Sequence, residues 1–399
     1  MRSLTVDEAA RRDEGSWWGR LPARMLSRLD EGHLRLVLPG GGLIVAHGAK
    51  SDLPEAHMKI HRWRAVRRML LHGDLGFADG YIDGDWSSDD LAALIDLASR
   101  NRGAMGKNLN PSLLTRTMHR IAHQFRANTR GGSKRNIEAH YDLGNEFYEK
   151  WLDRSMSYSS GLYRSADQTL EQAQSAKQDR VIELMAAPKD ARVLEIGCGW
   201  GGLAQKMVAA GLDVTGITLS PSQLSYAQSR ITDQADLRLQ DYRDCEGRFD
   251  RIVSIEMIEA VGEKFWPVYF DRLKKLLAPG GRVVLQAITI DESLFDGYRR
   301  DVDFIQRSIF PGGCLLSREV IARQFREAGL VLRSVEYFGE SYAKTLAEWR
   351  RRFLESWPAI EAMGFPPRFE KLWDYYLAYC EGGFRAGSID VGLYCAEHA

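Results

Sequence analysis

What this chain lacks narrows its class first. Its 399 residues include five cysteines (Cys198, Cys245, Cys314, Cys380, Cys395), with no CxxC pair and no matched histidine spacing. Neither a zinc site nor a disulfide framework is indicated, so no metal and a reducing cytoplasm are expected. No apolar run reaches the roughly 18 residues that a membrane-spanning helix needs. The start, Met1-Arg-Ser-Leu-Thr-Val-Asp-Glu, has no apolar signal core. With 54 Lys+Arg against 54 Asp+Glu the formal net charge is +0. No global field therefore draws the molecule to nucleic acid, and no such partner is expected. Internal repeats and low-complexity tracts are missing as well. What remains, 44% hydrophobic and 27% charged residues, suits an ordinary folded chain long enough for two domains.

Charge is uneven locally. From Leu97 to Ile137 nine Lys or Arg residues occur, Arg116, Arg120 and Arg126 among them, with no Asp or Glu. Such a run reads either as a solvated linker face or as a patch that holds lipid phosphates. The polar stretch Asn101–Asn110, closed by Pro111, looks like a linker. A first, α+β domain is placed at 1–100, a basic connector at 101–130 and the remainder at 131–399. In the first domain Leu34–Leu38 and Leu43–Ala46 flank Pro39-Gly-Gly-Gly42 as a hairpin. Helices are expected at Ile60–Leu71 and Leu91–Leu97, with a Gly/Asp-rich loop from Gly73 to Asp90.

From Arg192 the pattern alternates strand and helix, as a parallel α/β sheet requires. Strands are expected at Arg192–Ile196, Asp213–Thr218, Leu237–Gln240, Phe249–Ile255 and Gly281–Ile288, with a late strand at Val331–Tyr337. Helices fall at Gly202–Ala210, Ser222–Ile231, Lys264–Leu277 and Ser317–Ala328. Tyr342–Tyr379 reads as helical throughout.

The most informative ten residues are Val193-Leu-Glu-Ile-Gly-Cys-Gly-Trp-Gly-Gly202. A strand stops at a glycine cluster and passes into a helix, so Gly197, Gly199 and Gly201 let a ligand lie against the turn and the helix N-terminus. Gly197, Gly199 and Gly202 also satisfy G-x-G-x-x-G, which alone is a weak dinucleotide signal. A nicotinamide site would want an acidic residue at the end of the second strand. That end carries Thr218 and Leu219, whereas Glu195 sits inside the first strand, where class I methyltransferases commonly have an acid. S-adenosylmethionine is therefore favoured over NAD. Gln223 could hold the ribose hydroxyls, and Asp241 and Tyr242 could contact adenine, Tyr242 by stacking. Glu256 and Glu259, just after the fourth strand, are unlikely packing residues at the active edge of a parallel sheet. One can approach substrate and the other can cap the next segment. The aromatic, hydroxyl-rich stretch from His140 to Ser160 reads as a lid over the cofactor or as a packed cap.

Six motifs together resemble the cyclopropane-fatty-acyl-phospholipid synthases, a family that includes mycolic acid cyclopropane synthases. They are His140-Tyr-Asp-Leu-Gly-Asn-Glu-Phe-Tyr148, Ser157-Tyr-Ser-Ser160, Leu194–Gly202, Ile255–Gly262, Ser308-Ile-Phe-Pro-Gly-Gly313 and Ser341-Tyr-Ala-Lys-Thr-Leu346. The likeness spans about residues 135–385, and Gly73–Gly84 resembles the extra domain of the phospholipid-acting members. The resemblance implies a class I (Rossmann-like) methyltransferase sheet with a helical cap beside the smaller N-terminal α+β domain. It implies methyl transfer from S-adenosylmethionine to the cis double bond of an unsaturated phospholipid, through a carbocation that loses a proton to bound bicarbonate.

Carried over, Tyr158, Ser159, Gly197, Gly199, Thr218, Leu219, Gln223 and Tyr242 would touch the cofactor. Glu259, Tyr342 and the backbone of Ile288 would hold the bicarbonate. Many members have a cysteine where this chain has Ser160 and a histidine where it has Gln286. Both can still donate hydrogen bonds to an anion, but loss of the imidazole could divert the cation to a methylene- or methyl-branched chain. A branched product would involve a partner reductase. The resemblance also implies a homodimer and peripheral attachment to the inner face of the membrane. Two other readings compete: a small-molecule N- or O-methyltransferase, and a lipid-binding relic without catalysis.

Overall fold

The computed structural model describes residues 4–5, 26–105 and 143–398. Most of the basic connector, including Arg116, Arg120 and Arg126, lies outside them, as does His140. The chain forms two compact units. One gathers the described residues within Met1–Ile121, Asp301–Phe304 and Trp357–Ser388, and the other those within Ala122–Arg300, Ile305–Ser356 and Ile389–Ala399. Sequence reading placed Trp357–Ser388 in the second domain; the structure groups it with the first. No helix among the described residues is long and apolar enough to cross a membrane.

The first unit is built on five strands: β1 (Leu4–Thr5), β2 (Glu31–Val37), β3 (Leu43–His47), β4 (Lys50–Ile60) and β5 (Trp86–Ser87), in the order β1-β3-β2-β4-β5. β2 and β3 form the expected hairpin, closed by Leu38 N–H donating to Gly42 O at 2.7 Å. Alternation sends Leu34, Leu36, Ile44, Ala46, Ala56 and Met58 to the buried face. Ile60, expected to open a helix, ends β4 instead, and the helix runs Arg64–Ile82 with a kink at Gly73 (φ 55°). The expected loop after Gly73 is therefore helical as far as Ile82. Its glycines serve contact rather than flexibility: a Cβ on Gly76 would lie 2.0 Å from Arg68 O, and one on Gly80 would lie 2.8 Å from the Trp86 ring. Leu91–Arg100 is capped by Asp90, whose carboxylate accepts from Ala93 N–H at 2.9 Å. Pro367–Arg385 packs on that helix, so closely that a Cβ on Gly382 would meet Ile95 Cγ2 at 2.6 Å.

The second unit holds an eight-stranded sheet. Its strands are β6 (Arg192–Ile196), β7 (Asp213–Thr218), β8 (Asp236–Leu239), β9 (Phe249–Ile255), β10 (Leu277–Ile290), β11 (Leu316–Ser317), β12 (Leu330–Tyr337) and β13 (Ile389–His398). The order is β12-β13-β10-β9-β6-β7-β8, with the short β11 pairing β10. β6 to β10 run parallel, and β13 enters antiparallel between β10 and β12. Val193, Leu194 and Ile196 are fully buried, as a parallel strand covered on both faces requires. From β6 the chain winds outward to β7 and β8, then returns to β9 on the other side. The strand order reverses at β6, and a ligand crevice belongs at the carboxyl ends beside such a reversal. Sequence reading did not foresee β13 or the helix Leu170–Met185, which opens with a Thr169/Gln172 capping box.

Candidate active site

The turn after β6 is fastened to β7: Gly197 N–H and Cys198 N–H both donate to Ile217 O, at 2.9 and 3.0 Å. Gly197, Gly199 and Gly201 take φ of 84°, 52° and 81°. Their surroundings differ. A Cβ would meet Met257 Cγ at 2.7 Å on Gly197 and Ala227 Cβ at 3.0 Å on Gly201, whereas on Gly199 it would meet nothing within 4 Å. Gly199 thus presents backbone to open space at the head of the helix Gly202–Ala209. Glu195, two residues before the turn, is 3% exposed, and among the described residues its Oε2 has no partner. Burial pushes its carboxyl up to about 8, against the pull of nearby Lys177. An unsatisfied buried carboxyl beside an open glycine suits a ligand that brings positive charge, as S-adenosylmethionine does.

At the end of β7, Thr218 Oγ1 donates to Gln223 Oε1 at 3.0 Å and accepts from Ser220 N–H at 3.2 Å; Leu219 beside them is half-buried. The Asp241 carboxylate is engaged by Arg243, through its backbone N–H at 2.9 Å and its Nε at 2.8 Å. Tyr242 is buried in the core, edge-on to Tyr269 with ring centroids 5.2 Å apart.

The two carboxylates after β9 are handled differently. Glu256 has a left-handed backbone (φ 50°), and its carboxylate collects three donors. Ser160 N–H and Gln286 Nε2 reach Oε1 at 2.9 and 2.7 Å, and Tyr342 O–H reaches Oε2 at 2.6 Å. Glu259 Oε1 accepts Ile288 N–H at 2.6 Å, and among the described residues its buried Oε2 has no partner. Burial, reinforced by the charge of Glu256, pushes the Glu259 carboxyl up to about 8. Burial raises Glu256 too, against its three hydrogen bonds. The Ser160 hydroxyl, expected to face an anion, donates instead to Gly161 O at 2.8 Å.

An aromatic cluster adjoins these groups through Tyr342, which donates to Glu256, and through Tyr158, two residues before Ser160. Tyr158 has its ring 5.5 Å from each of Tyr148, Trp151 and Trp349 and 6.4 Å from Phe310, while Tyr342 lies 6.1 Å from Trp349. The preceding loop is held by Asp153, which accepts from Ser155 and Ser157 N–H at 2.8 and 3.1 Å. Ser159 Oγ accepts from Lys177 Nζ at 2.8 Å, and Ser159 O accepts from Gln174 at 2.7 Å. Lys177 is 2% exposed; desolvation lowers its pKa, and Glu256, Asp153 and Glu195 work against that. Sequence reading missed Lys177. Its signal was a lysine at a core position of the helical series Leu170, Ala173, Gln174, Lys177, Gln178, Val181, all buried.

The glycine turn, the acid in β6 and the carboxylates after β9 lie at one sheet edge beside an aromatic cluster. A family model described as mycolic acid cyclopropane synthetase matches residues 129–393. The chain belongs to that family. It is 36% identical over 379 residues to tuberculostearic acid methyltransferase of Mycobacterium tuberculosis, covering 90% of this chain and 86% of the relative. It is 35% identical over 396 residues to cyclopropane-fatty-acyl-phospholipid synthase of Escherichia coli strain K12, covering 98% and 96%. Among solved structures, a mycolic acid cyclopropane synthase complexed with SAH and CTAB matches with a TM-score of 0.63 and 28% identity, covering 66% of this chain and 97% of that one. Like these relatives, this family member is an S-adenosylmethionine-dependent methyltransferase of lipid acyl chains, on a class I methyltransferase fold.

Proposed function

We propose that this enzyme transfers the methyl of S-adenosylmethionine to the cis double bond of unsaturated acyl chains in phospholipids, closing a cyclopropane ring. The observation that carries the reading is the enclosed pair Glu256 and Glu259 beside the cluster of Tyr148, Trp151, Tyr158, Phe310 and Trp349. An alkene needs no protein nucleophile to attack an electrophilic methyl. It needs exclusion of water and stabilisation of a carbocation, and aromatic faces supply both. Glu195 and the Gly197–Gly201 turn would hold the cofactor, whose bound chemistry is an electrophilic S–CH3 group. Thr218, Leu219 and Gln223 would line its nucleoside end. The likeness over nearly the whole chain to a phospholipid-acting synthase supports phospholipid as substrate, with the first unit as a lipid-binding accessory domain at the membrane surface. A second reading, a branched chain completed by a reductase, rests on Ser160 and Gln286 standing where many relatives have cysteine and histidine.

The test is expression in cells rich in monounsaturated phospholipid, followed by mass spectrometry of total fatty acids. A gain of one CH2 without a remaining alkene is the expected result. Retention of the alkene moves the assignment to the branched product, and no gain at all ends both readings.

A further inference from the structure

We propose that the Glu256 carboxylate is a built-in proton acceptor that occupies the place of a bound anion. This inference rests on the proposed lipid reaction and names the base within it. Five groups were expected around bicarbonate: the Ser160 hydroxyl, the Gln286 amide, Glu259, Tyr342 and the Ile288 N–H. The Ser160 hydroxyl turns to Gly161 O, while the backbone N–H of Ser160 and the other three donors are taken by carboxylates of the chain itself. Ser160 N–H, Gln286 Nε2 and Tyr342 O–H converge on Glu256 at 2.6–2.9 Å, and Ile288 N–H is taken by Glu259 at 2.6 Å. A carboxylate has the trigonal, two-oxygen shape and the charge of bicarbonate, so three convergent donors accept one as readily as the other.

The backbone supports the same placement. Glu256 holds φ 50°, a left-handed conformation that is unfavourable for a residue with a Cβ. Strain of this kind persists where its surroundings over-determine it, commonly at functional sites. Here it aims the side chain at the donors from the carboxyl end of β9, while the residue's own N–H is tied to Gln286 O at 2.9 Å.

Charge separates the two glutamates. Among the described residues Glu256 collects three donors from elsewhere in the chain, whereas Glu259 receives Ile288 N–H and has a second oxygen without a partner. Burial raises both carboxyls, but the three donors favour the charged form on Glu256 and oppose that rise, while the charge of Glu256 adds to it on Glu259.

The step balances. The alkene's π pair forms a C–C bond as the S–CH3 bond breaks, leaving a cation on the other alkene carbon. A C–H bond then breaks. Its electron pair closes the ring, or forms a new double bond in the branched product, and the proton goes to Glu256.

The test compares wild-type, Glu256→Gln and Glu256→Gly enzymes on vesicles of monounsaturated phospholipid, in CO2-stripped buffer with and without added bicarbonate. Calorimetry with S-adenosylmethionine confirms that each variant folds and binds. The wild-type rate is expected to ignore bicarbonate. Glu256→Gln should lose on the order of 10²–10⁴ in rate, the usual worth of a positioned base, and stay inactive because its amide still fills the slot. Glycine tolerates φ 50° and empties the slot, so Glu256→Gly should be inactive without bicarbonate and regain rate saturably with it. Several-fold stimulation of the wild type by bicarbonate overturns the proposal. So does a Glu256→Gln enzyme of near-normal rate, or a cofactor-binding Glu256→Gly enzyme that bicarbonate does not revive. A wild type without turnover in the same assay indicts the lipid reaction rather than Glu256.

Discussion

Glu195 is a carboxyl that the fold buries before any ligand can stabilise its charge. Its pKa stands near 8 in the folded chain against an ordinary 4.5. Between those values the folded state keeps a proton that the unfolded state has lost. Its contribution to stability is thus full below about 4.5 and is lost as pH rises through about 8. Glu195→Gln should flatten the decline of the second unit's stability over that window by up to a few kcal/mol, read by urea denaturation at several pH values. An unchanged slope would place the titration elsewhere. At this scale the sequence disclosed much. The places of Gly197 and Gly199 in the turn and of Thr218 and Gln223 at the end of β7 were legible because strand, turn and helix patterns are local. The partition between Glu256 and Glu259 was not, because it depends on donors from Ser160, Gln286, Ile288 and Tyr342, which lie far apart in the chain. Tyr242 reads equally as a stacking or a core ring, and only its contact with Tyr269 shows it in the core.

Among elements, the glycine turn makes a divided prediction. Gly201→Ala adds a Cβ 3.0 Å from Ala227 Cβ and 3.1 Å from Ile231 Cδ1 at a positive φ, so strain and overpacking add. A loss of about 2–4 kcal/mol in stability is expected. Gly199→Ala meets no atom within 4 Å and should cost only the backbone term of roughly 1–2 kcal/mol. Its methyl would stand where the ligand is expected, so cofactor affinity should fall at least tenfold in a folded protein. Thermal melts and calorimetry on both variants measure the contrast; equal loss of stability in both would dissolve it. The strands β6 to β10 were readable because short apolar runs alternate along the chain with helical segments and turn residues. β13 was not, because a buried run of six residues, Val391–Ala396, carries no period that separates strand from helix. The stretch after Gly73 misled for a different reason: glycines chosen for close contact look, in sequence, like glycines chosen for a loop.

On the scale of the whole molecule, zero net charge means that the proposed attachment to a membrane would have to rest on local patches. The basic run between Leu97 and Ile137 lies largely outside the described residues, so its role rests on sequence. Replacing Arg116, Arg120 and Arg126 by glutamine should lower affinity for anionic vesicles, with the difference shrinking as salt rises past about 0.15 M. Sedimentation with vesicles at graded salt measures it, and unchanged affinity would mark the run as a solvated linker.

Both units are completed by the same late stretch. Pro367–Arg385 packs on Leu91–Arg100 in the first unit, and β13 fills the gap between β10 and β12 in the second. During synthesis, then, neither unit can close until residues 367–398 have left the ribosome. The early helices and the open sheet must wait with apolar surface exposed, including the slot that β13 will take. Until that stretch is made, both units offer apolar surface that a chaperone can hold.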